Sequence, residues 1–227
     1  MRMRRKNNLE ERALAASPYL LDLGNDSLDA RKEVVSFLNI DNLGKDPVLE
    51  LGCGKGKYAL EYAKIHNQTA YVAVEQITNV IIEGAEKAKQ EKLDNLLFLR
   101  TGAEYLKRYF KDNTFKKVVL NFPCPFHKET YRDRRLTSER FLEIYDSLLT
   151  DDGEIRLKTD NKRMFEYSLE SMSEYGFAFK NLTLDLHSSP YIEGDIVTEY
   201  ESKFIKDGLP IYSVVAYKPT RLRKLGK

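Results

Sequence analysis

Short apolar runs alternate with amphipathic stretches along most of the chain. Between the runs, apolar residues recur every three to four positions, which is the period of a helix with one buried face. Strands that alternate with helices form a mostly parallel sheet with helices on both faces. We therefore predict an α/β fold with a seven-stranded sheet. Its strands are expected at 48–51, 70–75, 96–100, 118–121, 154–159, 179–186 and 211–217.

Capping residues place the ends of several predicted helices. Thr78 and Thr137 each precede a helical pattern and are predicted as N-caps. Gly176 follows the helical pattern at 161–175 and is predicted as its C-cap. A leading helix is expected near 27–38.

The last two predicted strands have only a short helical stretch between them, at 199–206. A connection this short favours an antiparallel, hairpin-like pair at one edge of the sheet. The chain contains no internal repeat and no low-complexity linker. We therefore expect one domain at 27–227, preceded by a basic arm at 1–26.

The composition excludes several classes of protein. Of the 227 residues, 42% are hydrophobic, which is enough for a full core. No apolar run approaches the roughly 18 residues of a membrane helix, and the basic N-terminus lacks the apolar stretch of a secretory signal. Cys53 and Cys124 lie far apart, and the three histidines are isolated from one another. We therefore expect a cytoplasmic protein that binds no metal, has no disulfide and contacts no membrane.

Positive charge is concentrated in three segments, although the net charge is only +2. The net charge is +3 at 1–12, +5 at 218–227 and +2 at 127–140, which leaves about −8 on the rest of the chain. This distribution is typical of a protein that binds a polyanion. The alternative is that the two ends are solvated tails without a partner.

A glycine-rich loop carries the sharpest local signal. Gly52, Gly54 and Gly56 directly follow the apolar run at 48–51 and precede a helical pattern at 57–65. Glycine lets a backbone approach a ligand closely because it has no Cβ. In a parallel sheet this position is the carboxyl edge of the first strand, where nucleotide-like ligands bind. A tight turn without a ligand would explain one or two of the glycines equally well.

Two glutamates indicate which ligand this loop would bind. Glu75 ends the second strand, where a carboxylate can accept hydrogen bonds from both ribose hydroxyls of an adenosine. Glu50 lies beside the loop, where a carboxylate would repel a pyrophosphate and attract a cationic sulfonium or amino group. S-adenosylmethionine carries both cations and no phosphate. The pair therefore favours a methyltransferase over a dehydrogenase.

Several longer motifs occur in order along nearly the whole chain. They are Leu-Glu-Leu-Gly-Cys-Gly-Lys-Gly at 49–56, Leu-Asn-Phe at 120–122, Arg-Arg-Leu-Thr at 134–137, Lys-Thr-Asp-Asn at 158–161, Leu-Asp-Leu-His at 184–187 and Thr-Glu-Tyr-Glu at 198–201. In these motifs the chain resembles the bacterial tRNA (guanine-N7)-methyltransferases. The glycine loop is generic to methyltransferases, whereas Lys-Thr-Asp-Asn and Thr-x-x-Glu are specific to this family.

The resemblance implies a Rossmann-like, class I S-adenosylmethionine-dependent methyltransferase that methylates N7 of a guanosine in the tRNA variable loop. It implies S-adenosylmethionine as cofactor, tRNA as partner, and a monomer or homodimer. By position, the residues implied at the cofactor are Glu50, Gly52, Gly54, Gly56, Glu75, Gly102 and Cys124. Those implied at the guanine and the RNA are Lys128, Arg132, Arg134, Arg135, Asp160, Thr198 and Glu201.

The chemistry of these residues agrees with the implied substrate. Guanine presents hydrogen-bond donors at N1 and N2, which carboxylates such as those of Asp160 and Glu201 can accept. Arginines and lysines bind phosphates and stack on bases. For Asp160 there is a second interpretation, since an Asp before a helix is a good N-cap and needs no ligand.

The chain departs from the family at two positions. The family usually reads Asn-Phe-x-Asp-Pro-Trp-Pro-Lys where this sequence has 121–128, so Cys124 replaces the aspartate regarded as catalytic and Phe126 replaces the tryptophan. The acid usually found after the third strand is replaced by Gly102, and Glu104 lies nearby but out of register.

These departures need not abolish methyl transfer. Guanine N7 carries its own lone pair, so the reaction depends mainly on positioning and on the exclusion of water. A carboxylate at 124 would stabilise the base as it becomes cationic, whereas a thiol with an ordinary pKa of about 8.5 is neutral. Cys124 is therefore either the catalytic position or a small neutral loop residue.

Three functions follow from the sequence. The first is an active tRNA guanine-N7 methyltransferase. The second is a tRNA-binding protein of the same fold with weak or no activity, because Cys124 and Gly102 replace carboxylates. The third is a small-molecule methyltransferase, and the basic loop at 128–135 argues against it. Methylation of tRNA separates the first two, and indifference to RNA would indicate the third.

Overall fold

The computed structural model describes residues 6–22, 28–38, 44–198 and 200–219. It divides into two compact units, Met1–Phe110 and Lys111–Lys227. The predicted basic tail lies outside the described residues from 220 onward, and so do residues 1–5 and 23–26 of the predicted arm. The described part of the arm belongs to the first unit, and the division into an arm at 1–26 and a domain at 27–227 stays a prediction.

The first unit alternates strands and helices, with parallel strand pairs throughout the order β1-β4-β3-β2. Glu75 lies opposite Arg100, and Leu51 lies opposite Val74, so β2, β3 and β4 end at the same edge. The elements are α1 (Leu9–Ala15), β1 (Leu20–Asp22), α2 (Leu28–Leu38), β2 (Gly44–Leu51), α3 (Lys57–Ile65), β3 (Thr69–Glu75), α4 (Thr78–Glu91) and β4 (Leu96–Arg100), followed by a 3-10 turn at Ala103–Arg108.

Close packing of helices on this sheet depends on small residues. A Cβ on Gly56 would lie 2.5 Å from the ring of Phe98 and 3.4 Å from the Cα of Gly84. Phe98 is completely buried in β4. The absence of a side chain at Gly56 therefore allows the start of α3 to pack against α4 and β4.

The described part of the N-terminal arm pairs with acidic residues of α4. Arg12 donates to both carboxylate oxygens of Glu86, at 2.7 and 2.6 Å. Lys6 forms an ion pair with Glu83, and its backbone N–H donates to Asn79 Oδ1 at 2.7 Å. These two cations, which the sequence analysis assigned to a polyanion-binding arm, bind acidic side chains of α4 in this structure.

The second unit contains both parallel and antiparallel pairs. β5 pairs with β6 in parallel, and β8 lies between β6 and β7, antiparallel to both. The elements are β5 (Phe115–Asn121), a 3-10 turn at Glu129–Arg134, α5 (Glu139–Leu148), β6 (Leu149–Thr159), α6 (Lys162–Tyr175), β7 (Ala178–Thr183), a 3-10 turn at Pro190–Ile192, α7 (Glu201–Lys206) and β8 (Tyr212–Tyr217).

The mostly parallel α/β prediction is confirmed, but the strand count of seven is wrong. The described residues form eight strands, because the three-residue β1 lies inside the predicted arm and is too short for a pattern. The predicted antiparallel pair is present as β7 and β8. However, the strand that runs antiparallel to the others is β8, and the edge strand is β7.

Two predicted helix caps are wrong and one is confirmed. Thr78 is the first residue of α4, and the N-cap is Ile77. Thr137 precedes the N-cap of α5, and its hydroxyl bonds instead to Ser168 Oγ at 2.9 Å. Gly176 closes α6 with a φ of 104°, a backbone angle that favours glycine. At Thr137, a tertiary hydrogen bond thus replaced the local capping interaction.

Candidate functional site

The glycine loop forms an open cradle at the carboxyl end of β2. The backbone N–H groups of Gly52 and Cys53 both donate to Val74 O, at 2.8 and 3.0 Å, which holds the loop against β3. Gly52 and Gly54 have φ angles of 71° and 59°, which a side chain would strain. A Cβ on either would meet no atom within 4 Å. The space beside this backbone is therefore open, as close approach by a ligand requires.

The two predicted carboxylates lie at the ends of neighbouring strands beside this cradle. Glu50 is 2% exposed, and its Oε2 accepts a hydrogen bond from the hydroxyl of Tyr71 at 3.1 Å. Glu75 Oε1 accepts from the backbone N–H groups of Gln76 and Ile77, at 2.8 and 3.1 Å. Both carboxylates are thus held in place by hydrogen bonds within the first unit.

The electrostatic field at the loop is negative. Burial raises the pKa of the Cys53 thiol well above its ordinary value, and the charges of Glu50 and Glu75 raise it further. Burial and Glu50 likewise raise the pKa of Tyr71. A field that disfavours a thiolate also disfavours a bound phosphate and favours a cation. The cradle and its field therefore fit S-adenosylmethionine, whose sulfur and amino group are positively charged.

In the second unit, Cys124 is exposed in the loop that follows β5. The loop backbone is tightly turned, with φ angles of 51° at Phe122 and 40° at Phe126. Arg135 holds this loop, because its guanidinium donates to Pro125 O at 3.1 Å and to Phe126 O at 3.2 Å. Arg135 is only 7% exposed. The structure thus gives Arg135 a positioning role, and its predicted contact with RNA stays a prediction.

The other predicted RNA-binding cations lie on an exposed surface. Lys128, Arg132 and Arg134 are all exposed, on or beside the 3-10 turn at Glu129–Arg134. The guanidinium of Arg134 lies over the rings of Phe126 and Tyr131, at 5.3 and 5.5 Å from their centroids. Stacking of this kind orders an arginine while leaving its charge in solvent. We call Lys128, Arg132 and Arg134 the basic turn.

Lys158 and Glu201, from the two family-specific motifs, meet in a buried charge network. Lys158 is 5% exposed, and its Nζ donates to Asp195 Oδ2 at 2.9 Å, to Ile196 O at 3.1 Å and to Glu201 Oε2 at 2.9 Å. Glu201 is completely buried, and its Oε1 lies 3.1 Å from His187 Nε2. Burial raises the pKa of Asp195, against the lowering effect of Lys158.

Thr198 and Glu201 also form two reciprocal hydrogen bonds of the capping-box type at the start of α7, whose own N-cap is Tyr200. Glu201 N–H donates to Thr198 Oγ1 at 3.0 Å, and Thr198 N–H donates to Glu201 Oε2 at 3.1 Å. Thr198 is 8% exposed. Both residues were predicted to contact guanine, and the structure places the Glu201 carboxylate inside a structural network. That predicted contact stays untested.

Asp160 does not cap α6. The N-cap of α6 is Asn161, whose Oδ1 accepts from Met164 N–H at 2.9 Å, so the interpretation of Asp160 as the cap is wrong. Burial raises the pKa of the Tyr200 phenol, and the charge of Asp160 raises it further. Asp160 is only partly buried.

Tyr200 is a candidate site residue that the sequence analysis missed. It is 46% exposed and packs against Phe122 and Phe204, with ring centroids 5.1 and 5.0 Å apart. The Tyr200 ring therefore packs against two other aromatic rings and remains partly exposed to solvent. Its place between Thr198 and Glu201 in a family-specific motif was the signal that could have identified it.

Over the described ranges there is no group of three or more His, Cys, Asp or Glu side chains that could hold a metal ion. The helices within those ranges are all too short or too polar to cross a membrane.

Comparison with known proteins gives consistent matches. A family model described as "Putative methyltransferase" matches residues 45–214. A tRNA (guanine-N(7)-)-methyltransferase of Bacillus cytotoxicus is 44% identical to this chain. The alignment covers 74% of this chain and 77% of that relative. The enzyme of that name from Clostridioides difficile is 36% identical over 96% of this chain and 99% of its own. A solved antibiotic-related methyltransferase matches with a TM-score of 0.60 at 16% identity, covering 82% of this chain and 92% of its own.

Proposed function

The chain belongs to the tRNA (guanine-N7)-methyltransferase family, and from this membership we propose the roles of its residues in transferring a methyl group from S-adenosylmethionine to N7 of a guanosine in tRNA. Its fold is that of the class I S-adenosylmethionine-dependent methyltransferases. The observation that carries the proposal is the pair Glu50 and Glu75 beside an open glycine cradle.

In the first unit, the cradle at Gly52 and Gly54 receives the donor, and the two carboxylates hold its opposite ends. Glu50 attracts the cationic methionine portion, and Glu75 accepts hydrogen bonds from the ribose hydroxyls. S-adenosylmethionine supplies an electrophilic methyl group on a positively charged sulfur. The buried position of Glu50 strengthens its attraction, since charges interact more strongly away from water.

In the second unit, Asp160 and Tyr200 hold the guanine. The Asp160 carboxylate accepts hydrogen bonds from N1–H and the N2 amino group, and the exposed Tyr200 ring stacks on the face of the base. Contacts to this edge leave N7, on the opposite edge, uncovered. The N7 lone pair is itself the nucleophile, so no residue has to remove a proton, and catalysis is mainly by positioning.

The RNA backbone lies along the basic turn. Lys128, Arg132 and Arg134 bind phosphates, while Arg135 holds the loop that carries Cys124. Thr198 and Glu201 support the guanine site through the capping box that precedes α7. We place this reaction in the cytoplasm, where tRNA is the partner.

Methyl transfer to tRNA tests the proposed function. Purified protein, labelled donor and unmodified tRNA transcript are expected to give labelled N7-methylguanosine, identified after digestion. Raising the salt concentration should weaken tRNA binding, because phosphate contacts release counterions. Salt-sensitive tRNA binding with no product would instead support the tRNA-binding alternative, which the named relatives do not favour.

Replacing Cys124 with Asp is expected to raise kcat by up to about tenfold, because a carboxylate would stabilise the positive charge that develops on the guanine. The exposed thiol leaves room for this substitution. The measurement is the steady-state rate of methylation at saturating donor and tRNA. Cys124→Ser is the control for loss of the thiol and should match the wild type. An unchanged rate in Cys124→Asp would show that position 124 does not face the reacting base.

Tyr200→Leu is expected to raise KM for tRNA by about tenfold, because base–aromatic stacking contributes about 1 to 3 kcal/mol. Tyr200→Phe keeps the ring and should stay close to the wild type. Steady-state kinetics with varied tRNA concentration measures both variants, and donor affinity should be unchanged in each. Equal losses in Tyr200→Leu and Tyr200→Phe would contradict stacking and indicate a role for the hydroxyl.

A further inference from the structure

Position 102 is a glycine where the resemblance implies an acid. The space that a side chain at 102 would occupy is filled by Glu104. A Cβ built on Gly102 would lie 2.5 Å from Oε2, 2.7 Å from Cδ and 2.9 Å from Oε1 of Glu104. Gly102 is buried, whereas Glu104 is exposed. The carboxylate of Glu104 therefore covers the backbone of Gly102 and occupies the space that a side chain at 102 would use.

Glycine at 102 is not required by the backbone. Its φ and ψ are −86° and 150°, in the extended region that any residue adopts. This distinguishes Gly102 from Gly52 and Gly54, whose positive φ angles favour glycine. The absence of a side chain at 102 has one structural consequence that we can identify, which is the space for the Glu104 carboxylate.

The position of this carboxylate within the sheet indicates what it contacts. Glu50 precedes the end of β2, Glu75 ends β3, and Glu104 follows β4 in the 3-10 turn at Ala103–Arg108. These strands are neighbours in the order β4-β3-β2, spaced by roughly 4.8 Å. With Glu50 at the methionine portion and Glu75 at the ribose, the next strand reaches the adenine, whose 6-amino group is a hydrogen-bond donor.

We propose that Glu104 recognises the adenine 6-amino group of the methyl donor, taking over from two positions away the task of the missing acid at 102. This inference rests on the proposed function, because it assumes that the cradle binds S-adenosylmethionine. If Glu104 has this role, the chain keeps one carboxylate each for the methionine portion, the ribose and the adenine of the donor. The carboxylate for the adenine would then come from position 104 instead of position 102.

Two donor analogues test the proposal by calorimetry without any turnover. S-adenosylhomocysteine carries the 6-amino group, and S-inosylhomocysteine carries a carbonyl oxygen there, which a carboxylate repels. The wild type should bind the adenosine analogue at least about tenfold more tightly. Glu104→Gln should lose most of this preference, because an amide can donate to the carbonyl. Glu61→Gln removes an acid from α3 in the same unit and should keep the preference.

A swap of the acid back to position 102 provides the second arm. Glu104→Ala alone should weaken S-adenosylhomocysteine binding by about tenfold, and the double variant Gly102→Asp/Glu104→Ala should restore it. Equal weakening for both analogues in Glu104→Gln, or no weakening, would overturn the proposal while the proposed function stands. If the wild type bound neither analogue, the proposed function itself would fail.

Discussion

Replacing Lys158 with Met is expected to lower the free energy of unfolding by about 3 to 5 kcal/mol, because it leaves buried carboxylates without their cation. The ammonium group of Lys158 is the donor that Asp195 and Glu201 share. Both acids are mostly or completely out of solvent. Their ionised forms would then lose the positive charge that compensates for most of the lost hydration.

Denaturant unfolding measures this effect, with Lys162→Met as the matched control. Lys162 pairs with Glu166 on the exposed face of α6, where both side chains are more than half exposed. Loss of such a surface pair should change stability by less than about 0.5 kcal/mol. If the two variants unfolded at the same denaturant concentration, the network around Lys158 would not stabilise the second unit.

The effect of Lys158→Met should also depend on pH. The folded-state pKa of Asp195 is already raised above its ordinary value, and loss of Lys158 raises it further. A raised carboxyl pKa means that the folded protein binds more protons than the unfolded chain in the window between the two values, so stability falls as pH rises through it. The difference from the wild type should therefore be smaller at acid pH than at neutral pH. A constant difference would contradict this electrostatic origin.

Replacing Glu50 with Gln is expected to weaken binding of S-adenosylhomocysteine about tenfold to a hundredfold, while tRNA affinity stays unchanged. The variant keeps the shape of the side chain and an oxygen for the Tyr71 hydroxyl. It removes the negative charge that, in the proposed function, attracts the donor's amino group. Calorimetry with the donor analogue and a filter-binding assay with tRNA measure the two affinities separately.

The Cys53 thiol reports on the same charge without any ligand. Because Glu50 contributes to the raised pKa of Cys53, Glu50→Gln should lower that pKa, and Cys53 should react faster with a thiol reagent at alkaline pH. The experiment uses a Cys124→Ser background, so that the exposed thiol does not react. An unchanged pH profile together with unchanged analogue binding would show that Glu50 does not shape the field at the loop.

The sequence predicted the parts of the fold that depend on long buried runs. β3, for example, is buried along five consecutive residues, and its apolar composition makes it recognisable. β1 has only three residues, which is too short for a recognisable sequence pattern. It is a strand because it pairs with β4, which is distant in the sequence. Ends of helices were less predictable, since Thr137 bonds to Ser168 on α6 and does not cap α5.

The candidate site was predictable in residue types but not in how their hydrogen bonds are used. Arg135 looked the same as Arg132 and Arg134 in the sequence, yet its donors bind loop carbonyls. Glu201 looked like a second guanine-binding acid, but its carboxylate is enclosed with Lys158. The spacing of the motifs indicates which residues lie close together in the fold. Their burial then determines which side chains remain accessible to a ligand.

The protein methylates N7 of a guanosine in tRNA, and one substitution in the RNA tests that atom directly. A tRNA in which the target guanosine is replaced by 7-deazaguanosine keeps the Watson–Crick edge, whose N–H groups would donate hydrogen bonds to Asp160. It carries a C–H group in place of N7. We predict full binding of this tRNA and no labelled methyl transfer to that nucleoside. Methylation of the 7-deazaguanosine, or of a different nucleoside in the normal tRNA, would contradict the claim.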